Sequence, residues 1–299
     1  MLKRIHVYLK EMYPVIPRLF VGFVLFFEIY FLVLLTNDRT DVKIGAGEFV
    51  GGFTVFAFLL TLRISDEFKD READKTLFPE RPYPSGRVKT KDLIVLLVTA
   101  AVAAAVLNIV FMNNLLFFGI LAGYAVLMGV WFFSRHKIQK NLFLALITHN
   151  PVQLVLNTYM ISYTCYKYDL PLFTFNNAVI AFTLYFPGLV WEITRKIRAP
   201  QDETEYVTYS KLWGYKKAVK FVLFVMFLDV LTSSYLIYQL FPIAVATVIV
   251  SYLWLVKQGA AFIKNPAAFK IVKKFEIYEY ITESTVIVLE ALYLFLRWK

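Results

Sequence analysis

Cysteine is almost absent: Cys165 is the only one in 299 residues. That excludes an internal disulfide and any cysteine-rich metal site, and leaves the thiol as a small, inert apolar side chain. Histidine is nearly as scarce, and His6, His136 and His149 are too scattered for a zinc motif. The 12 glycines form no phosphate-cradling loop and no dinucleotide fingerprint, and no G-x-S-x-G elbow occurs. Charge is also sparse, at 18% of residues against 59% hydrophobic ones. That balance, with a mean hydropathy of +0.59, excludes an ordinary soluble domain. Any phosphate chemistry here has to run on metals and basic side chains.

What is present is a succession of apolar runs, each near the roughly 20 residues that cross a bilayer as a helix. Nine are expected, at about 15–36, 44–64, 92–112, 114–133, 141–165, 172–194, 217–239, 241–257 and 277–297. Breaks at Met112–Asn114 and around Phe241–Pro242 predict tight turns between antiparallel helices. The start, Met1 to His6, shows no cleavage site, so no cleaved leader is expected. Residues 2–12 read as a short basic helix lying in the membrane interface. Threading nine spans from a cytoplasmic N-terminus leaves 1–18, 63–91, 134–140, 195–220 and 257–274 inside. These segments hold 27 of the 32 Lys and Arg residues, and only Arg39, Lys43, Lys167, Arg297 and Lys299 fall outside. The positive-inside rule predicts this asymmetry. The net charge of +10 is therefore topology plus phosphate handling; no soluble module interleaves aromatics with these cations, and no nucleic acid is expected as a partner.

Where the second run ends, Asp66, Asp70 and Asp74 recur at i, i+4 and i+8, with Glu67 beside them and Arg81-Pro-Tyr-Pro-Ser-Gly86 following. On one continuous helix the four carboxylates share a face. Crowded carboxylates repel unless cations neutralise them, and Mg²⁺ bridging to a phosphate is the common solution. The alternative is a solvated acidic–basic face, because Lys69, Arg71 and Lys75 are interleaved. A second polar cluster follows the sixth run: Trp191-Glu-Ile-Thr-Arg-Lys-Ile-Arg198, then Gln201–Glu205 and Thr208–Gly214. Both clusters follow even-numbered runs four helices apart, which suggests a weak repeat of four-helix units. Lying at the same membrane depth, the two are expected to share one cavity.

The chain at this point resembles the UbiA superfamily of intramembrane prenyltransferases, which includes the 4-hydroxybenzoate polyprenyltransferases. The first motif of that family is N-D-x-x-D-x-x-x-D followed by R-P-x-x-x-G. Here Asp66 stands at the Asn position, Glu67, Asp70 and Asp74 at the acids, and Arg81–Gly86 follows. The second, E-I-x-x-D-x-x-D-x-x-x-D, is matched by Glu192-Ile193 at its start and Glu203 at its last acid, with Thr208-Tyr-Ser210 and Gly214 as its tail. Lys196 and Ala199 stand at the two middle acidic positions. The resemblance implies one domain over 1–299: an all-α integral-membrane fold of nine helices around a central cavity with a cytosolic cap. It also implies a multi-pass cell-membrane location and an active site facing the cytoplasm.

The resemblance further implies a Mg²⁺-dependent transfer of a prenyl group from an isoprenoid diphosphate to a lipophilic or aromatic acceptor. Asp66, Glu67, Asp70 and Asp74 are the implied metal ligands, with Glu192 and Glu203 as what remains of a second site. Lys196, replacing an acid, is expected to contact diphosphate directly, and fewer or weaker metals follow from that change. Diphosphate-binding candidates are Arg63, Lys75, Arg81, Arg195 and Arg198, with Tyr209 and Ser210 in the motif tail. Arg135 and Lys137, near Lys140, resemble the family's basic loop before the fifth helix. On the fifth run His149, Gln153 and Asn157, with Asn150 adjacent, form a stripe expected to face the bundle and either orient an acceptor or join helices. Tyr159, Phe182, Tyr185, Phe186 and Trp191 are candidates to line a prenyl tunnel. Glu28, Asp229, Glu283 and Glu290 lie within runs and receive no catalytic role. Two other readings stay open: a terpene cyclase of the same fold, and a divalent-cation transporter.

Overall fold

The computed structural model describes residues 1–297 and leaves Lys299, counted above among the outside charges, beyond the described part. Its elements are all helical: α1 Leu2–Met12, α2 Val15–Leu35, α3 Ala46–Lys69, α4 Arg71–Leu77, α5 Thr90–Phe111, α6 Leu115–Gly129 and α7 Arg135–Lys140. They continue as α8 Leu142–His149, α9 Val152–Lys167, α10 Phe175–Thr183, α11 Phe186–Thr194, α12 Tyr209–Trp213, α13 Tyr215–Leu240, α14 Val245–Lys264 and α15 Val272–Arg297.

Helix occupies every expected apolar run. Among the described residues, however, only six stretches are long and apolar enough to cross a membrane: Val15–Leu35, Ala46–Lys69, Thr90–Phe111, Phe175–Thr194, Tyr215–Leu240 and Pro242–Lys264. The fourth run is a helix of 15 residues. The fifth is broken between α8 and α9 at Asn150-Pro151, because a proline has no N–H for the helical ladder. The last carries Glu279, Glu283 and Glu290 along its length. The sixth run bends between α10 and α11, where Pro187 opens the second helix.

Glycine sets the closest helix crossing. A Cβ on Gly22 of α2 would stand 2.8 Å from the Phe56 backbone N of α3, and one on Gly51 would stand 2.1 Å from the Phe26 ring. Such close approach is how apolar helices associate without a hydrophobic driving force. Buried polar groups join the remaining helices. Asn108 of α5 donates to the Thr54 hydroxyl of α3 at 2.8 Å and accepts from the Tyr159 hydroxyl of α9 at 2.7 Å. Glu48 accepts from Tyr163 at 2.7 Å and pairs with Lys167.

Helix α1 departs from expectation. Beyond the expected basic helix, it is docked on the bundle, with Tyr8 fully buried. Arg4 pairs with Asp92 at 2.6 Å, and Arg87 grips Glu11 with two nitrogens at 2.7 and 2.8 Å.

Candidate functional site

The first acidic motif is not one continuous helical face. Helix α3 runs to Lys69, Asp70 sits outside helical geometry at φ −96°, ψ 6°, and α4 begins at Arg71. The carboxylates divide into two kinds. Glu67, 1% exposed, takes Arg63 at 2.6 Å, and buried Asp74 takes Arg81 at 3.1 Å. Arg81 also lies 3.7 Å over the Phe78 ring, fixing the following loop, and Gly86 at φ +76° supplies the left-handed turn that closes it. Asp66 is half exposed with Lys69 3.9 Å away, and Asp70 is exposed with no ion pair. Although exposed at its surface, Asp70 is partly desolvated by its surroundings, which with the neighbouring Asp74 raises its pKa from the ordinary value, against the pull of Lys69 and Lys196.

The four carboxylates expected to hold metal thus stand in two different settings, two paired and buried and two open. Among the described residues no three His, Cys, Asp or Glu side chains are grouped to hold an ion. The physical reason is local charge balance: the two acids that the fold buries are neutralised by Arg63 and Arg81. What remains open, Asp66 and Asp70, still fits Mg²⁺ in its usual form. That ion is commonly held by one or two carboxylates and completed by waters and substrate phosphates, not by a protein-only cage.

Glu192 on α11 accepts from Arg195 at 2.7 Å and pairs with Lys196 at 2.7 Å, so both of its oxygens are occupied. The charges of Arg195 and Lys196 reach across to Asp66 and Asp70, respectively. Glu203 is placed differently from a metal ligand. Its oxygens accept from Thr208 at 2.9 and 2.8 Å and from Ser210, tying the loop to the start of α12. Arg198 is held in the same knot through the Thr204 and Ser210 hydroxyls. Tyr209 is fully buried, with its ring 5.0 Å from that of Trp213.

A third wall comes from the break in the fifth run. Lys69 stands 5.3 Å over the Trp131 ring, and Trp131 and Phe132 stand 5.4 and 5.7 Å from the His149 ring. Trp131, Phe132 and Phe133 all have positive φ, at 55°, 48° and 57°. Side-chain-bearing residues occupy that region at a cost, and consecutive ones mark a built feature. His149 Nε2 and Asn150 Oδ1 are buried without partners. Gln153 and Asn157 are spent inside the protein: Gln153 donates to Asn157 at 2.9 Å, and Asn157 donates to the Ala181 carbonyl at 2.9 Å. The stripe thus splits, with His149 Nε2 and Asn150 Oδ1 unpaired and Asn157 joining α9 to α10. Arg135 and Lys137 lie exposed on α7, and Lys75 pairs outward with Glu72 at 2.9 Å.

Beneath Ser65 a cavity of about 550 Å³ runs between α3, α5 and α6. Its walls include Thr61, Leu62, Ala101, Ala105, Leu121 and Gly129, and it ends at Thr54 and Phe118. At 1.5 Å rise per residue, Thr54 to Ser65 is about 16 Å. None of the aromatics proposed for a tunnel lines it. Tyr159 is bonded to Asn108, and Phe182 and Trp191 are largely exposed. The signal that marked this wall was the alanine-rich stretch Thr99–Val106, where small side chains leave room.

No family model and no curated protein matches the chain. A solved structure of a digeranylgeranylglyceryl phosphate synthase in membranes is similar in fold, with a TM-score of 0.62 and 17% identity over 96% of this chain and 99% of that one. The chain is an all-helical integral membrane protein of that fold.

Proposed function

We propose that this chain is an intramembrane prenyltransferase, acting on an isoprenoid diphosphate with Mg²⁺ and alkylating a lipophilic or amphipathic acceptor. One observation carries the reading: the helix that lines an apolar cavity from Thr54 to Ser65 goes straight on to the open carboxylates Asp66 and Asp70. A ligand with a polyanionic head and an apolar tail matches both ends of that arrangement, and the similar fold of a membrane synthase supports it.

Asp66 and Asp70 are the residues to hold the ion. Mg²⁺, when bound, supplies neutralisation of the charge that develops on the leaving diphosphate. Lys69, Arg195 and Lys196 attract the head from the other sides, and Lys196 stands where the resembled family has an acid. The tail lies along α3 toward Thr54, where burial of each methylene contributes about 0.8 kcal/mol. The cation formed at the allylic carbon is shielded by the faces of Trp131 and Phe132, which attract positive charge. His149 Nε2 and Asn150 Oδ1, buried and unpaired, are the groups left to orient an acceptor that enters beside them. Glu192 sets the positions of Arg195 and Lys196, and Glu203 orders the loop. The cation-rich segments support a site facing the cytoplasm.

The purified protein should release diphosphate from an isoprenoid diphosphate only with a divalent metal, and Asp70→Ala should abolish release. Metal-independent turnover or an active variant would count against the reading. A cyclised hydrocarbon formed without acceptor would reassign the chain to the cyclases. No release, together with metal flux in proteoliposomes, would favour a transporter.

A further inference from the structure

We propose that the lysine-rich end shared by α13, α14 and α15 binds the phosphate headgroup of an anionic phospholipid, whose chains lie along the exposed faces of α13 and α14. The site does not depend on the reaction proposed above.

The cations of this protein fall into two populations. Arg4, Arg63, Arg81, Arg87, Arg195 and Lys196 each hold an acid. Residues 206–228 and 257–275, by contrast, contain nine lysines, no arginine and no acid. Lys211 donates to the Thr204 carbonyl. Among the described residues the other eight take part in no ion pair.

Packing gathers these lysines at one end of the bundle. Helices α13 and α14 run antiparallel, with the Tyr215 hydroxyl donating to the Ile263 carbonyl at 3.3 Å and that of Tyr252 to the Leu223 carbonyl at 3.1 Å. The start of α13 thus lies beside the end of α14. The Phe262 ring stands 6.2 Å from Tyr215 and 5.8 Å from Phe269, in the loop leading to α15. Lys216 lies 5.9 Å over the Tyr215 ring, and Lys274 of α15 lies 5.4 Å over that of Phe269. An aromatic platform therefore carries lysines from three helix ends and a loop. Like charges collected on one surface repel unless anions neutralise them.

The same helices say what the anion is attached to. Along α13, Lys217, Lys220, Phe221 and Phe224 recur at i, i+3, i+4 and i+7, and all four are exposed. Along α14, Leu253, Val256, Lys257, Ala260 and Lys264 form a second exposed stripe of the same kind. On each, the lysines stand toward the helix end and the apolar side chains lie deeper, with Phe224 57% and Leu253 61% exposed. Free phosphate or an acidic soluble protein would use only the charged half of that pattern. A phospholipid uses both. The positive-inside rule accounts for the sign of the charge here, but it acts during insertion and requires no lipid on the folded protein.

The test is retention of dioleoylphosphatidylglycerol by the full chain in non-ionic detergent, titrated by native mass spectrometry against dioleoylphosphatidylcholine. The anionic lipid should bind and the zwitterionic one should not. Each lysine near the headgroup is worth about fivefold in affinity, so the triple change Lys216→Gln, Lys270→Gln and Lys274→Gln should weaken binding roughly a hundredfold. The matched change of exposed lysines elsewhere, Lys3→Gln, Lys89→Gln and Lys91→Gln, should leave it within a few-fold. Equal retention of the two lipids, or equal losses in the two triple variants, overturns the proposal. Displacement by inorganic phosphate at the lipid's own concentration would make this a free-phosphate site, and displacement by polyglutamate at matched charge would reassign it to an acidic protein. Melting temperature without lipid checks that the triple variant folds. If it does not, Lys270→Gln on the exposed loop should by itself cost about fivefold, and no change there overturns the site.

Discussion

Lys196 Nζ lies 2.7 Å from Glu192 Oε1, four residues earlier in the chain, and is only 12% exposed. The lysine that stands at an acidic position of the resembled family is therefore fixed in place by the acid that opens the same motif. Its charge also acts on Asp70 of the first motif.

Lys196→Ala is expected to weaken diphosphate binding more than it alters the Mg²⁺ requirement. A charge-assisted contact to phosphate contributes about 1.5–3 kcal/mol, so the affinity for a non-ionisable isoprenoid diphosphate analogue should fall roughly ten- to a hundredfold. Titration of the analogue at saturating Mg²⁺ measures it, and wild-type affinity in the variant would reduce Lys196 to a headgroup anchor. Lys196→Asp should steepen the metal dependence by adding an acid opposite Asp70.

Asp70 and Asp74 should behave differently, although the motif treats them alike. Asp70→Asn removes an open carboxylate and should abolish turnover with little change in melting temperature. Asp74→Asn leaves Arg81 without its partner in a mostly buried pair and should cost about 1–3 kcal/mol of stability. Thermal unfolding in detergent distinguishes them, and equal melting temperatures for the two variants would refute the division.

Ala105 faces the deep end of the cavity near Thr54. Ala105→Phe should lower kcat/KM for the longest isoprenoid donors by tenfold or more, because two or three methylenes of tail burial at about 0.8 kcal/mol each are lost. Short donors should be unaffected. A donor series reads the effect, and a uniform loss across chain lengths would place the tail elsewhere.

Gly51→Ala tests the packing of the fold. The added methyl would meet the Phe26 ring at 2.1 Å, inside the α2–α3 contact, and should destabilise by about 1–3 kcal/mol. Phe26→Leu in the same chain should recover part of the loss, as judged by melting temperature.

The apolar runs were legible from composition alone because hydropathy is a local property: each run of about 20 apolar residues carries its own reason to be a helix in lipid. The order of helices, the acidic stretch at 66–74 and the lysine at 196 were legible in the same way. The break at Asn150-Pro151 was present in the residues too, since proline removes a backbone donor wherever it falls. Six of the nine expected spans meet the length and apolarity of a crossing helix, and the others are short, broken or acidic.

Which carboxylate is open and which is spent was not legible. The spacing of Asp66, Glu67, Asp70 and Asp74 treats them as one face, but Arg63 and Arg81 neutralise Glu67 and Asp74 in the fold. Likewise the pattern left Asn157 either to orient an acceptor or to join helices, and its amide bridges α9 to α10. The sequence by itself determined that the chain is a helical membrane protein with acids and cations gathered at the ends of its helices. Only the tertiary structure decided which of those charges are buried and which stay open, because burial depends on how helices distant along the chain pack against one another.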